Sequence, residues 1–348
     1  MNPILTTIIA VLVFSFLILI HELGHFVTAR IFKVTVNEFS IGMGPRVLSR
    51  VSKRTGIRYS LAALPIGGFV AMAGENEESD DPNAFDKKPA WQRFIITAAG
   101  ALVNLIAGFI VVTILTALIN IGGTTVAGFV DHDKYGYDVS TEGVLEVGDV
   151  IVKVEGRRVR ILDELNYELM RRGTEPLDIT VIRDGEEKIL TDVVLPTVEQ
   201  DGETFGMRDF LVYTTEKNLG TVISYSWSKS VLIVRMCWES IIDLITGRYS
   251  LAAVSGPVGI SSAIGDAASA GTAPFLYMFG LISINLGVMN LLPIPALDGG
   301  RLLTTLFEMV TRRRIPAKIE GLVNGIGLIL LLGLSLVIMV KDVVQLII

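Results

Sequence analysis

The chain has 348 residues, 51% of them hydrophobic, and a mean hydropathy of +0.56, which excludes an ordinary water-soluble enzyme of this length and points to a membrane as solvent. A single cysteine, Cys237, excludes an intramolecular disulfide framework and a multi-cysteine metal site. The net charge of −6 says less than its distribution along the chain, and no nucleic-acid partner is expected.

The first charge-free stretch, residues 2–20, is long enough to cross a bilayer, which takes about 20 apolar residues as a helix. It lacks a basic n-region and a small-x-small cleavage site, so a permanent span is expected rather than a cleaved signal. It runs directly into His21-Glu22-Leu23-Gly24-His25. On a helix, two histidines four residues apart share a face and can reach one Zn²⁺ at about 2.0–2.1 Å, with Glu22 beside them to take a proton from water. Three ionisable groups at the end of a span are costly unless they serve a site. A catalytic zinc needs a third protein ligand and an open position, so another His, Asp or Glu at the same depth is required.

Residues 30–93 carry 10 Lys and Arg against 7 Asp and Glu, and a second span is expected within 95–121. The balance reverses over 122–222, with 11 against 21. There the pattern shortens: a Gly148-Asp149 turn, an alternating strand over 150–155, Gly156, a helix over 162–170, a strand over 177–182 and an Asp184-Gly185 hairpin signal. This predicts a small α+β module, with His132, between Asp131 and Asp133, at its surface. Over 231–245, Arg235, Glu239 and Asp243 recur every four residues among apolar ones, which predicts an amphipathic helix at the membrane surface.

A third span is expected within 267–297 and a fourth over 321–340. Basic connections stay cytoplasmic, so the first and third should face in, and the acidic second region and the N-terminus out. The first and third spans then end at one depth. That makes Asp298 the best candidate for the third ligand, with Glu308 and Glu320 as rivals in a charged connection. Pro293 and Pro295 should break the third span, as is tolerated where backbone lines a wet cavity. Asn285 and Asn290 could hold a substrate backbone or act as hydrogen-bond glue between helices.

His21-Glu22-Leu23-Gly24-His25, the run from Asn290 to Gly300 (Asn-Leu-Leu-Pro-Ile-Pro-Ala-Leu-Asp-Gly-Gly) and the module between them resemble the site-2 protease family of intramembrane metalloproteases, in its bacterial branch with an extracytoplasmic PDZ domain. The resemblance implies that His21, His25 and Asp298 bind zinc, that Glu22 is the catalytic base, and that Asn285 and Asn290 position substrate. It gives residues 65–75 the role of a membrane-associated hairpin that pairs with an unwound substrate through Gly67, Gly68, Phe69 and Val70; without it, this is a glycine-punctuated loop. Residues 100–104 are similar to the family's second-span G-P-x-x-N motif, with Ala101 where proline is usual, so the kink that a proline would impose is not expected from this residue.

The expected architecture is a polytopic α-helical membrane protein with about four transmembrane helices, a membrane-associated β-hairpin region and an inserted α+β PDZ-like domain. Its parts are a first span over 1–30, the hairpin region over 31–93, a second span over 94–121, the PDZ-like domain over 122–200, a linker with an interfacial helix over 201–266, a third span over 267–300, a cytoplasmic connection over 301–320 and a fourth span over 321–345. The expected function is zinc-dependent cleavage of single-span membrane proteins, such as anti-sigma factors or remnant signal peptides, in or beside their transmembrane helix. The expected location is the bacterial cytoplasmic membrane, with the bilayer as partner and peptide segments captured at the PDZ-like domain. A membrane-bound PDZ adaptor with a non-catalytic metal site is the alternative.

Overall fold

The computed structural model describes residues 2–75, 77–131, 141–200, 203–248 and 254–347. In chain order its elements are α1 (Pro3–Ile31), β1 (Val36–Val51), β2 (Arg58–Met72), α2 (Ala90–Leu118), β3 (Gly122–Phe129), β4 (Val150–Val154), β5 (Arg157–Arg158), α3 (Leu162–Arg172), β6 (Leu177–Arg183), β7 (Glu186–Val193), β8 (Thr197–Gln200), β9 (Glu203–Gly206), β10 (Phe210–Thr214), α4 (Leu219–Thr246), α5 (Pro257–Ala270), α6 (Thr272–Leu291), α7 (Asp298–Thr311) and α8 (Ala317–Ile347). They divide into two compact units, Met1–Val111 with Ile233–Ile348, and Val112–Leu232.

Among the described residues, four helices, α1, α2, α6 and α8, are long and apolar enough to cross a membrane. In α8 only 6% of the apolar window is buried against protein, so nearly all of its Leu, Ile and Val surface requires lipid as solvent. α1 starts where its composition directs: Pro3 occupies the first turn, which has no use for its missing N–H, and the Asn2 side chain accepts from Ile4 N at 2.9 Å. Close helix crossings are made by small residues. A Cβ on Gly24 would lie 2.5 Å from Ala99 O of α2, and one on Gly287 2.9 Å from Ala101 O. Ala101 is fully buried within an uninterrupted α2, so the position that usually carries proline introduces no break.

β1 and β2 form a hairpin that is broader than two straight strands. Residues 38–41 pair with 68–71 on one side and with 58–61 on the other, while 46–51 pair with 58–62. Kinks at Gly42 (φ 84°) and Gly67 (φ 68°) make this possible. Buried Glu38 sits inside the sheet, with Arg46 bound bidentately at 2.8 and 2.6 Å and Ser60 donating at 2.6 Å. The glycine-punctuated segment is therefore strand, because β1 supplies a pairing partner that lies outside its local sequence.

The second unit holds an antiparallel sheet in the order β10-β3-β4-β6-β7, with β5 paired to β4. Its core packs Leu165 and Leu169 of α3 against Val126, Ile151, Ile179, Val181 and Phe210. The expected strands at 150–155 and 177–182 and the helix at 162–170 all form. The hairpin at Asp184-Gly185 has φ of 54° and 84°, the left-handed pair that matches strand twist. The sheet extends beyond the expected boundary at 200, because β10 supplies its outer strand by pairing with β3. The expected linker over 201–266 accordingly contains β10, α4 and most of α5. The helix expected over 231–245 is α4, which spans the longer range Leu219–Thr246, and the expected connection over 301–320 is mostly α7. His132 lies outside the described residues.

Candidate metal centre

Three side chains from two helices meet at one point. His21 and His25 lie one turn apart on α1, both 8% exposed, with ring centroids 4.8 Å apart and Nε2 atoms 3.2 Å apart. Asp298 is the first residue of α7, and its Oδ2 lies 3.0 Å from His21 Nε2 and 3.2 Å from His25 Nε2. That oxygen is buried, with no hydrogen-bond partner beyond the two rings.

The sequence between α6 and α7 explains why Asp298 arrives there. α6 ends at Leu291 ahead of Pro293 and Pro295, which supply no amide hydrogen. Ala296 takes a left-handed φ of 75°, and its amide donates to Asn324 Oδ1 of α8 at 3.2 Å. α7 then starts hard against the turn it has just left. A Cβ on Gly299 would sit 1.8 Å from Leu292 O, and one on Gly300 2.7 Å from Ile294 O. The double glycine is thus a steric requirement for folding Asp298 back towards α1.

α2 forms the floor beneath the rings. His25 Nδ1 lies 2.8 Å from Ile96 O, a carbonyl that can only accept, so Nδ1 carries the proton and Nε2 presents a lone pair. Gly100 leaves the space next to both rings open: a Cβ there would lie 2.4 Å from His25 Nε2 and 2.7 Å from His21 Nε2. Asn104, fully buried, reaches His21 Nδ1 at 3.4 Å.

The residues fit a zinc ion. Two imidazole nitrogens and one carboxylate oxygen, all within 4.8 Å of one another, form a His₂-carboxylate set that leaves a position open for a reactant. Tetrahedral bonds of about 2.0–2.1 Å hold ligand atoms roughly 3.3 Å apart, close to the spacings of 3.0 to 3.2 Å found here. The void kept by Gly100 is a cradle that any side chain would fill.

Glu22 lies beside the cluster, with Oε2 accepting from Val70 N of β2 at 3.1 Å. A cavity of about 220 Å³ is lined by Glu22, His25, Phe69, Val70, Thr97 and Asp298, among others. It shares Glu75, Phe85, Thr97 and Arg301 with a neighbouring polar cavity of about 210 Å³ that reaches Glu77, Glu78 and Arg314. Of the expected substrate residues, Phe69 and Val70 line the cavity. Gly67 and Gly68 are in the same strand, Gly67 pressed against Ile18 of α1 and Gly68 against Ser40 O. Asn285 and Asn290 are not among the lining residues, and Asn285 Oδ1 is enclosed without a partner. The rivals to Asp298 are engaged elsewhere: Glu308 with Arg93 at 2.6 Å and Glu320 with Thr304 at 3.1 Å.

Sequence reasoning missed Thr97, Glu75 and Arg301. The Glu75–Arg301 ion pair, at 2.6 Å, joins residues 226 positions apart, for which no local pattern gives a signal.

The pattern described as Peptidase family M50 matches residues 9–334. Proteins named as zinc metalloproteases are similar over nearly their whole length: one from Clostridium acetobutylicum is 36% identical, covering 97% of each chain, and one from Fusobacterium nucleatum is 36% identical, covering 97% of this chain and 98% of its own. The regulator of sigma-W protease RasP of Bacillus subtilis is 26% identical over 98% of this chain and 99% of its own. With an apolar four-helix frame around a His₂-carboxylate cluster, the chain belongs to peptidase family M50, the site-2 protease family, and is a membrane metalloprotease that uses zinc.

Proposed function

We propose that the chain is an intramembrane endopeptidase that cuts single-span membrane proteins within or beside their transmembrane helix, as a step of regulated intramembrane proteolysis. The observation that carries this reading is the convergence of His21, His25 and Asp298 at the end of an apolar span, with Glu22 held against a strand edge in the same cavity. The similarity to a protease named as a regulator of sigma-W supports anti-sigma factors as a substrate class, and remnant signal peptides are a second class of the same single-span chemistry.

In this reading His21 Nε2, His25 Nε2 and Asp298 Oδ2 are the zinc ligands. When bound, zinc supplies Lewis acidity, polarising the scissile carbonyl and allowing water to lose a proton near neutral pH. Glu22 receives that proton and returns it to the leaving amine, and the Val70 amide keeps its carboxylate turned into the cavity. A helical peptide bond is shielded by its own hydrogen bonds, so the substrate must be extended before attack. The edge of β2 around Gly67, Gly68, Phe69 and Val70 offers strand addition for that purpose. Asn285 and Asn290 would stabilise the extended substrate from α6. The neighbouring cavities that share Thr97, Glu75 and Arg301 would let water reach the site from the polar side.

The charge asymmetry supports a zinc site near the cytoplasmic face of a bacterial cytoplasmic membrane, with the acidic second unit outside. That unit, with its sheet and α3, would serve as the PDZ-like domain, capturing peptide segments by strand addition at a sheet edge.

The test is Glu22→Gln, assayed in detergent on a labelled single-span protein. Cleavage should fall by about 10²–10⁴-fold, the usual worth of a general base, while bound zinc stays at the wild-type level. Cleavage at the wild-type rate would remove Glu22 from the reaction.

A further inference from the structure

The second-span motif from Gly100 to Asn104 contributes its glycine to the cradle, but its asparagine has no part in the proposed cleavage. We propose that Asn104 is a positioning residue: its side-chain oxygen accepts the Nδ1–H of His21 and so keeps His21 Nε2 deprotonated for metal binding. This rests on the reading of His21 as a zinc ligand.

The argument is one of proton placement in a buried space. His21 is 8% exposed and Asn104 0%, so a polar hydrogen on His21 needs a protein partner. A neutral imidazole carries one proton, and metal binding through Nε2 requires it on Nδ1. The Asn104 amide is the group at hydrogen-bonding range of His21 Nδ1, at 3.4 Å. Of its two ends only the oxygen can accept. Nδ2 faces the ring, and Oδ1 is buried without a partner. That arrangement places the imidazole proton on Nε2, opposite Asp298 Oδ2 at 3.0 Å, which suits a metal-free pair. The two ends of an amide have nearly the same shape, so a half-turn exchanges them without displacing neighbours. It takes the oxygen out of a position in which it has no partner and points it at Nδ1.

The surroundings hold Asn104 for this task. Its backbone carbonyl accepts from Ser283 Oγ of α6 at 2.8 Å, and Ser283 is itself fully buried. Four and eight residues earlier on α2 lie Gly100, which keeps the metal space open, and Ile96, whose carbonyl sets the proton on His25. One stripe of α2, at helical spacing, thus assigns the tautomer of both histidines and leaves the gap between them. Partners of this kind orient metal-binding imidazoles generally, and losing one costs about 10–100-fold in metal affinity.

The experiment compares Asn104→Leu, which keeps the branched outline and removes the acceptor, with Asn104→Asp, which keeps the size and an acceptor. Both are made in the full chain in detergent and titrated with zinc against a competing chelator, and the visible absorption of the cobalt(II)-substituted protein is recorded. Asn104→Leu should bind zinc about 10–100-fold more weakly and shift the cobalt bands, whereas Asn104→Asp should bind near the wild-type level with wild-type bands. Equal weakening in both variants would assign Asn104 to packing and overturn the proposal, as would undiminished affinity in Asn104→Leu. His21→Ala is the control: if it retains full zinc affinity, the ligand reading fails, separately from the role of Asn104.

Discussion

At the scale of single residues, the site depends as much on atoms that are missing as on those present. Gly100 has no side chain where both Nε2 atoms converge, so Gly100→Ala should reduce bound zinc, measured by metal analysis of the purified protein, while α2 itself tolerates the better helix former. Asp298 acts through one oxygen placed between two rings. Asp298→Asn keeps the shape but removes the anionic ligand, and zinc content should fall well below one per chain; unchanged stoichiometry would mean another residue supplies the third ligand. His21, Glu22 and His25 could be read from their spacing, since a helix alone fixes residues four apart. Asn104, Thr97 and Arg301 could not, because their relation to the site runs through other elements.

Elements show where local pattern suffices. In the second unit, alternation and turn residues foretell β4, α3, β6 and the Asp184-Gly185 hairpin, because each is decided within about ten residues. Asp149 then ties β4 to β6. Burial works to raise its pKa, but Arg183 at 2.8 and 2.7 Å and the Glu146 amide at 2.9 Å outweigh that and hold the carboxyl below its ordinary value. Since the folded-state pKa lies below the unfolded value of about 3.9, this contribution is present above the unfolded pKa and is lost as pH falls through the folded one. Protection of the β4 and β6 amides from hydrogen exchange, corrected for intrinsic rates, should therefore decline in acid, and Asp149→Asn should flatten that dependence. The β1–β2 hairpin is the contrary case, since its glycine-rich residues become strand through pairing with residues more than twenty positions away.

On the scale of the molecule, the zinc ligands come from α1 and α7, which are 273 positions apart from His25 to Asp298. An ion that binds both in the folded state, and neither in the unfolded chain, stabilises by RT ln(1 + [Zn]/Kd), about 2.7 kcal/mol at a hundredfold excess over Kd. A chelator should therefore lower the thermal midpoint of the wild-type protein in detergent. His21→Ala should begin at the lower midpoint and respond little to chelator.

By itself the sequence determined the membrane as solvent, four apolar spans, the paired histidines with Glu22, and a charge asymmetry that favours one orientation, because each depends on composition or on spacing within a few helical turns. Topology alone already made Asp298 the favoured third ligand. The tertiary structure decided the rest: that Asp298 closes to within 3.2 Å of both rings, that Glu308 and Glu320 are bound elsewhere, that the glycine-rich segment is strand, and that one face of α2 supports the histidines. Those depend on where separate helices cross, and crossing positions are fixed by packing across the whole unit rather than by any stretch of chain.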